Sequence, residues 1–108
     1  MSKSAITIDQ PATDGLPPTH PGEILREELA GLGFSANAFA AKIKVPTNRI
    51  TEILAGRRSI TAETALRLGR FFGTSAQFWM NLQANYDLKT AAAVSGKAIA
   101  REVRPRAA

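Results

Sequence analysis

The stretch KVPTNRITEILAGRRSIT, residues 44 to 61, decides the fold because it contains a short helix with two unlike faces. The apolar side chains of this stretch, which recur at helical spacing, are Val45, Ile50, Ile53 and Leu54. The polar and charged side chains between them are Thr47, Asn48, Arg49, Thr51 and Glu52. The spacing predicts a helix over residues 46–55, ended by Gly56 and anchored by Ile50 and Leu54, with its polar face free.

Capping residues place four more helices around this one. His20 and Pro21 begin the first, which Gly31 and Gly33 are predicted to end. The predicted N-caps of the second, fourth and fifth helices are Ser35, Thr61 and Ser75. The fifth helix is predicted to stop at Ser95-Gly96. The apolar face of the fourth helix is predicted to consist of Leu66, Leu68, Phe71 and Phe72.

These segments predict an all-α fold with five helices. The helical domain is predicted to span residues 20–94, between a flexible segment 1–19 and a basic tail 95–108. Three prolines and no helical period support the flexible segment, in which residues 5–8 have a short extended pattern.

Composition excludes several classes of function. Apolar residues make up 44% of the 108 residues, which is enough for a packed core. Because there is one histidine and no cysteine, we expect no disulfide, metal site or cofactor, and no catalytic set of side chains. The apolar runs are far shorter than the roughly 20 residues of a membrane span. The sequence therefore predicts a soluble cytoplasmic protein that is not an enzyme.

The net charge of +5 is unevenly distributed. Residues 1–41 hold two basic and five acidic side chains, whereas residues 42–70 hold seven basic and two acidic ones. Positive charge is therefore concentrated around the helix of the opening stretch. Such a concentration favours a polyanion or an acidic surface as the partner.

Two short helices joined by a tight turn, the second with polar residues at its start, follow the helix-turn-helix plan. The first turn of the second helix then enters the major groove of DNA. The predicted base-reading residues are Thr47, Asn48, Arg49, Thr51 and Glu52. Arg49 is predicted to contact either a guanine edge or a phosphate. Glu52 is predicted either to accept a hydrogen bond from the amino group of cytosine or to repel phosphate. The residues predicted to contact phosphates are Ser35, Asn37, Lys44, Arg57 and Arg58.

The chain also resembles a known family over residues 20 to about 89. The motifs HPGE, RITEILAG, SITAETALRLGRFFGTS and FWMNLQANYDL are similar to those of HigA-type antitoxins. These are a branch of the Xre/Cro-like helix-turn-helix repressors, with a lambda-repressor-like domain. The resemblance implies a homodimer that represses its own operon and neutralises a RelE-like, HigB-type mRNA endonuclease. One departure is Lys44, where the family usually has Gly.

Two further surfaces are predicted. The apolar stripe of the fifth helix suits either the core or a dimer interface through Trp79, Leu82 and Tyr86. Since toxins of the family are basic, Glu23, Glu27 and Glu28 on the first helix form a candidate toxin-binding face. Two alternatives remain open: an Xre-type or phage-type repressor without a toxin, and a toxin-masking module that does not bind DNA.

Overall fold

The computed structural model describes residues 17–107, which contain five helices and no strand. The helices are α1 (Pro21–Leu32), α2 (Ala36–Ile43), α3 (Thr47–Leu54), α4 (Ala62–Phe72) and α5 (Ala76–Glu102). The prediction of an all-α fold with five helices is confirmed. Residues 1–16, with the extended pattern at 5–8 and most of the predicted flexible segment, lie outside the described residues.

The predicted N-caps of α1, α2, α4 and α5 are confirmed by hydrogen bonds from the first turn of these helices. Each cap side chain accepts a hydrogen bond from a backbone N–H group that has no partner inside the helix. The four bonds are Gly22 N–H to His20 Nδ1 (2.9 Å), Ala38 N–H to Ser35 Oγ (3.1 Å), Thr64 N–H to Thr61 Oγ1 (3.4 Å) and Phe78 N–H to Ser75 Oγ (3.1 Å).

Residues 19–84 form one compact unit around an apolar core. Within it α3 packs against α1 and α2, and α2 packs against α4. Phe39 is completely buried, and its ring lies 5.2 Å from that of Phe71 and 5.7 Å from that of Phe72. Burying one large apolar side chain stabilises a fold by about 1.5–3 kcal/mol. The other core residues include Leu25, Leu29, Ile43, Ile50, Ile53, Ile60, Leu68 and Trp79.

The predicted apolar face of α4 is partly wrong. Leu68 is completely buried, but Leu66 is 63% exposed. The buried side of the helix runs through Ala65, Leu68 and Gly69, which recur three and four residues apart. Leu66 lies about 100° around the helix from Ala65, so it faces away from the core.

The predicted end of α5 is also wrong. The helix continues through Ser95 and Gly96 to Glu102, and its C-terminal part belongs to a second unit that includes residues 85–107. One glycine costs a helix about 1 kcal/mol relative to alanine, and the alanine-rich sequence around it offsets that cost. Similarly, Gly31 lies inside α1, and Gly33 ends it in the left-handed conformation. The division of the chain into domains stays a prediction.

Candidate nucleic-acid interface

Helix α3 is attached to the domain by one face and leaves the other exposed. Ile50 and Ile53 are completely buried, and Leu54 is half-buried. Asn48 and Thr51 lie on the opposite side and are exposed. The prediction that Ile50 anchors α3 to the core is confirmed. The second completely buried side chain of α3 is Ile53, whereas the prediction names Leu54.

Two contacts from α1 fix the position of α3. Gly22 lies so close to the backbone carbonyl group of Ile53 that a Cβ at this position would overlap it. Arg26 Nη2 donates to the carbonyl oxygen of Leu54 at 3.0 Å. That carbonyl is at the end of α3 and has no partner within the helix. The HPGE motif at the start of α1 therefore supports the back of α3.

The tip of α3 is joined to the first turn of α2. Thr47 Oγ1 donates to Asn37 Oδ1 at 2.7 Å, so a residue predicted to read a base contacts one predicted to hold a phosphate. Asn48, next in the chain, has no hydrogen bond from its side-chain amide within residues 17–107. Asn48 is therefore the free amide at the tip.

Arg49 lies on the side of α3 that faces α4. Its Nη1 is 3.0 Å from Glu63 Oε1, and its side chain is only 27% exposed. Arg67 binds the other oxygen of this carboxylate, with Nη2 at 3.0 Å and Nε at 3.3 Å. Arg67 Nη1 also donates to the carbonyl oxygen of Ile43 at 2.9 Å, at the end of α2. Arg49, predicted to contact DNA, is thus already engaged within the chain.

These two arginines lower the pKa of Glu63 from its ordinary value of 4.5. The hydrogen bond and positive charge of Arg67 have the largest effect, and the hydrogen bond from Arg49 adds to it. The Glu63 carboxylate is therefore charged at neutral pH. The chain of contacts from α2 through Arg67 and Glu63 to α3 is intact under those conditions.

A second ion pair joins α3 to the loop that follows it. Arg58 Nη2 is 2.8 Å from Glu52 Oε1, and Arg58 Nε donates to the same oxygen at 2.9 Å. Arg57 is exposed, and its side chain contacts no partner in the part of the chain that the structure describes. Of the two arginines predicted to hold phosphates, only Arg57 is thus free.

The loop between α3 and α4 is tied to the core by a buried side chain. Gly56 begins the loop in the left-handed conformation, with φ of 77°. Further along, the backbone N–H of Ile60 donates to Gln83 Oε1 at 2.8 Å, and both residues are buried. An unsatisfied buried N–H costs about 1–3 kcal/mol, so Gln83 stabilises the loop that carries Arg57.

The other residues predicted to contact phosphates lie at the two ends of α2. The hydroxyl group of Ser35 is used as the N-cap, which leaves the neighbouring backbone N–H groups for a ligand. Lys44 is exposed at the C-terminal end and has φ of 64° and ψ of 48°. This left-handed conformation costs about 1–2 kcal/mol in a residue other than glycine.

The predicted dimer interface requires one correction. Trp79 is 1% exposed, and its Nε1 donates to Thr74 Oγ1 at 3.0 Å. It is a core residue of a single chain with no surface to offer a second copy, so its predicted dimer contact is wrong. Leu82 and Tyr86 are half-buried, and their assignment stays a prediction.

The predicted toxin-binding residues share one helix. Glu23, Glu27 and Glu28 are all exposed on α1, and no ion pair within residues 17–107 engages them. Their role stays a prediction.

Sequence reasoning missed residues that support the site from other helices. Glu63 and Arg67 are four residues apart on α4, a spacing that indicates an ion pair but gives no sign of Arg49. Arg26 and Gln83 hold the end of α3 and the following loop from 28 and 23 residues away. No local pattern in the sequence reveals such contacts.

No group of histidine, aspartate and glutamate side chains suited to hold a metal ion occurs in the described part of the chain. Among the same residues, no helix is both long and apolar enough to cross a membrane.

A turn of three residues between α2 and α3, a buried back and an exposed polar tip define a helix-turn-helix protein. The sequence profile of the family described as Helix-turn-helix matches residues 25–79. Virulence-associated protein I of Dichelobacter nodosus is 56% identical over 77 residues, which are 70% of this chain and 71% of that protein.

Two solved structures are also similar. An addiction module antidote protein of the HigA family from Coxiella burnetii is 58% identical with a TM-score of 0.83, over 84% of this chain and 100% of that one. The Pseudomonas aeruginosa antitoxin HigA with the higBA promoter is 49% identical with a TM-score of 0.81, over 83% and 99%. The chain belongs to the helix-turn-helix family and, within it, to the HigA-type antitoxins.

Proposed function

We propose that this protein is a sequence-specific DNA-binding repressor of its own operon and the antitoxin of a type II toxin–antitoxin pair. The observation that carries the DNA-binding part is the exposed polar tip of α3, where Asn48 and Thr51 point away from the core. Amide and hydroxyl groups form hydrogen bonds with base edges in the major groove. The similar HigA from Pseudomonas aeruginosa, which was solved with promoter DNA, supports this use of the fold.

Each residue of the tip has a proposed role. Asn48 pairs with an adenine edge through both amide atoms, and the Thr47 methyl group contacts a thymine methyl group. Thr51 reads a base one turn further along. Glu52 stays a predicted base contact, and Arg49 stays a predicted contact with either guanine or a phosphate. Each of these contacts requires the ion pair of that side chain to open.

The DNA backbone is contacted on both sides of this tip. Lys44 and Arg57 are exposed cations without partners in the described chain, and both suit phosphates. Asn37 and the backbone N–H groups after Ser35 are proposed to bind a phosphate at the N-terminus of α2. Arg58 stays a predicted phosphate contact and must share its guanidinium with Glu52.

We propose that the protein acts as a homodimer. A two-fold axis sets two recognition helices about 34 Å apart, which matches successive major grooves on one side of DNA. Leu82 and Tyr86 are the proposed interface residues, since both keep part of their surface exposed.

The proposed protein partner is a RelE-like, HigB-type toxin. The acidic face formed by Glu23, Glu27 and Glu28 suits a basic toxin surface. This function consists of binding alone, without a catalytic step. A repressor without a toxin partner would have the same α3 tip. Binding to a toxin therefore distinguishes the proposed antitoxin from that alternative. A pure masking module does not require an exposed tip, which favours DNA binding.

A mobility-shift titration tests DNA binding. The probes are a duplex from the region directly upstream of the gene and a scrambled duplex of equal length and composition. We expect tighter binding to the upstream duplex, and affinity for both that falls as salt rises. Equal affinity for the two duplexes would contradict sequence-specific binding.

Co-expression with the neighbouring reading frame tests the antitoxin role. We expect that this frame alone stops growth, that the present chain restores it, and that the two proteins co-purify. A charge-reversed variant, in which Glu23, Glu27 and Glu28 are replaced by Lys, should lose both rescue and co-purification while still binding DNA. Rescue that persists in this variant would exclude the acidic face.

A further inference from the structure

Two arginines of α3 and the loop after it are paired within the chain, whereas the side-chain amide at the tip of α3 is open. Arg49 is bound by Glu63, and Arg58 by Glu52. Asn48, which precedes Arg49, is exposed, and its side-chain amide has no hydrogen bond to the described residues. The recognition helix therefore presents an uncharged amide to DNA and keeps its own guanidinium group, that of Arg49, engaged.

Glu63 is fixed in place independently of Arg49. Arg67, one turn later on α4, holds its second carboxylate oxygen, and the carbonyl oxygen of Ile43 holds Arg67. The carboxylate therefore does not follow Arg49 when that side chain turns toward a ligand. A contact between Arg49 and DNA requires the pair with Glu63 to break.

We infer that Glu63 is a specificity-determining residue, which withholds Arg49 from DNA phosphates and so weakens binding to DNA of unrelated sequence. This inference rests on the proposed DNA-binding function. Arg49 is the third residue of α3. When the tip of this helix enters a major groove, the released guanidinium can therefore reach the phosphates that line the groove. While Glu63 is present, Arg49 must leave this carboxylate before it can bind a phosphate.

The physical reason lies in how cations contribute to DNA binding. A cation that meets a phosphate releases a condensed counterion, and it does so on any sequence. Such a contact raises the affinity for random DNA and for the operator alike. Hydrogen bonds from Asn48 depend on the base that is present. Because Glu63 opposes this sequence-independent contact of Arg49 and does not engage Asn48, it increases the ratio of operator to random binding.

Substitution of Glu63 tests this inference. The variants are Glu63→Gln, which removes the charge, and Glu63→Ala, which also removes the hydrogen bond. Binding to the scrambled duplex and to the upstream duplex is measured across a salt range. For Glu63→Ala we expect the plot of log binding constant against log salt concentration, measured on the scrambled duplex, to steepen by about 0.9. Between about 50 and 200 mM salt, this variant should therefore lose ~3.5-fold more affinity than the wild type does. Glu63→Gln should lie between this variant and the wild type.

Two controls isolate the cause. Glu102→Ala makes the same change in net charge at an exposed glutamate without an arginine partner in the described chain, and should leave the slope unchanged. The double variant Arg49→Ala/Glu63→Ala should return to the wild-type slope, because the side chain that Glu63 released is gone. Circular dichroism checks that each variant is folded.

Several outcomes would overturn the inference. In one, folded Glu63→Ala retains the wild-type slope and the wild-type ratio of operator to random affinity. In another, the double variant keeps the steeper slope, so that the new contact comes from a residue other than Arg49. If the wild-type protein binds both duplexes equally, the proposed function itself is contradicted. If the wild type prefers the upstream duplex and Glu63→Ala has the same salt slope and the same preference, only the inference is contradicted.

Discussion

Asn48 differs from the residues beside it at the tip of α3. Thr47 donates its hydroxyl to Asn37, and Arg49 is paired with Glu63. The amide of Asn48 is exposed and has no hydrogen bond to the described chain. The full hydrogen-bonding capacity of this amide is therefore available for the proposed contact with a base.

Replacing Asn48 with Ala should weaken operator binding by about 1–3 kcal/mol, because a bidentate contact with a base edge is lost. A titration with the upstream duplex at fixed salt measures the change, and thermal unfolding should match the wild type. Asn85→Ala, a change at another exposed asparagine, is the matched control and should bind as the wild type does. Wild-type affinity in Asn48→Ala would remove this residue from the interface.

Lys44 occupies a position where the backbone favours glycine. Replacing Lys44 with Gly should stabilise the protein by about 1 kcal/mol, since φ of 64° is strained for lysine. The expected rise in Tm is about 4–8 °C for a domain of this size. If Lys44 contacts a phosphate, the salt slope of DNA binding also becomes shallower by about 0.9.

Lys42→Gly is the control, because it removes the same charge from the helical last turn of α2. A glycine there should destabilise the protein by about 1 kcal/mol, opposite in sign to Lys44→Gly. Equal destabilisation by both variants would show that the left-handed turn is not strained.

At the scale of whole elements, the seating of α1 on α3 determines how α3 is presented. Leu25 and Leu29 bury one side of α1 in the core. Gly22 brings the first turn of this helix against the backbone carbonyl of Ile53. Because backbone meets backbone here, no side chain can rearrange to relieve an added atom.

Gly22→Ala should destabilise the protein by about 1–3 kcal/mol, as overpacked sites do. Denaturant unfolding monitored by circular dichroism measures the loss. Gly31→Ala makes the same change in the same helix, where an added Cβ meets no atom within 4 Å. That variant should gain up to about 1 kcal/mol from higher helix propensity. A neutral or stabilising Gly22→Ala would contradict the close approach.

At the scale of the whole molecule, charge separated along the sequence is partly paired in the fold. Residues 42–70 hold seven basic and two acidic side chains, and both of those acids, Glu52 and Glu63, form ion pairs. The remaining positive charge belongs to side chains such as Lys44 and Arg57. Pairing does not change the net charge of this region, but it engages Arg49, Arg58 and Arg67 and leaves Lys44 before α3 and Arg57 after it as free cations in the described chain.

The stability of the protein should fall in acid partly because Glu63 becomes protonated. Its pKa is lowered in the folded state, so its contribution is present above its unfolded pKa and is lost as pH falls through the folded one. Thermal unfolding is measured between about pH 6 and pH 3. The wild type should have a higher Tm than Glu63→Gln above the ordinary pKa of 4.5, and this difference should disappear as the pH falls below that value.

The titration of the Glu63 carboxyl carbon, followed by NMR, checks the cause of that loss. Its midpoint should lie below 4.5 and move upward in Arg67→Ala, since Arg67 has the largest effect on this pKa. The shift in Arg49→Ala should be smaller. A wild-type midpoint at or above 4.5 would mean that the ion pairs do not persist in solution.

The sequence by itself determined the helices, their N-caps, the short turn and the buried Ile50. These features depend on residues a few positions apart, so apolar spacing and capping side chains are sufficient to predict them. The same local patterns failed where two signals competed. Gly96 indicated a helix end, but the surrounding alanines continue α5 through it.

Only the tertiary structure decided which polar side chains at the tip are free to meet DNA. Arg49 and Glu63 are 14 residues apart, and Ile43 and Arg67 are 24 apart, so no local pattern relates them. Packing likewise placed Trp79 inside the core and Leu66 outside it, although both are large and apolar. The physical reason is that exposure and pairing depend on which helices meet, and side-chain periodicity within one helix does not specify its neighbours.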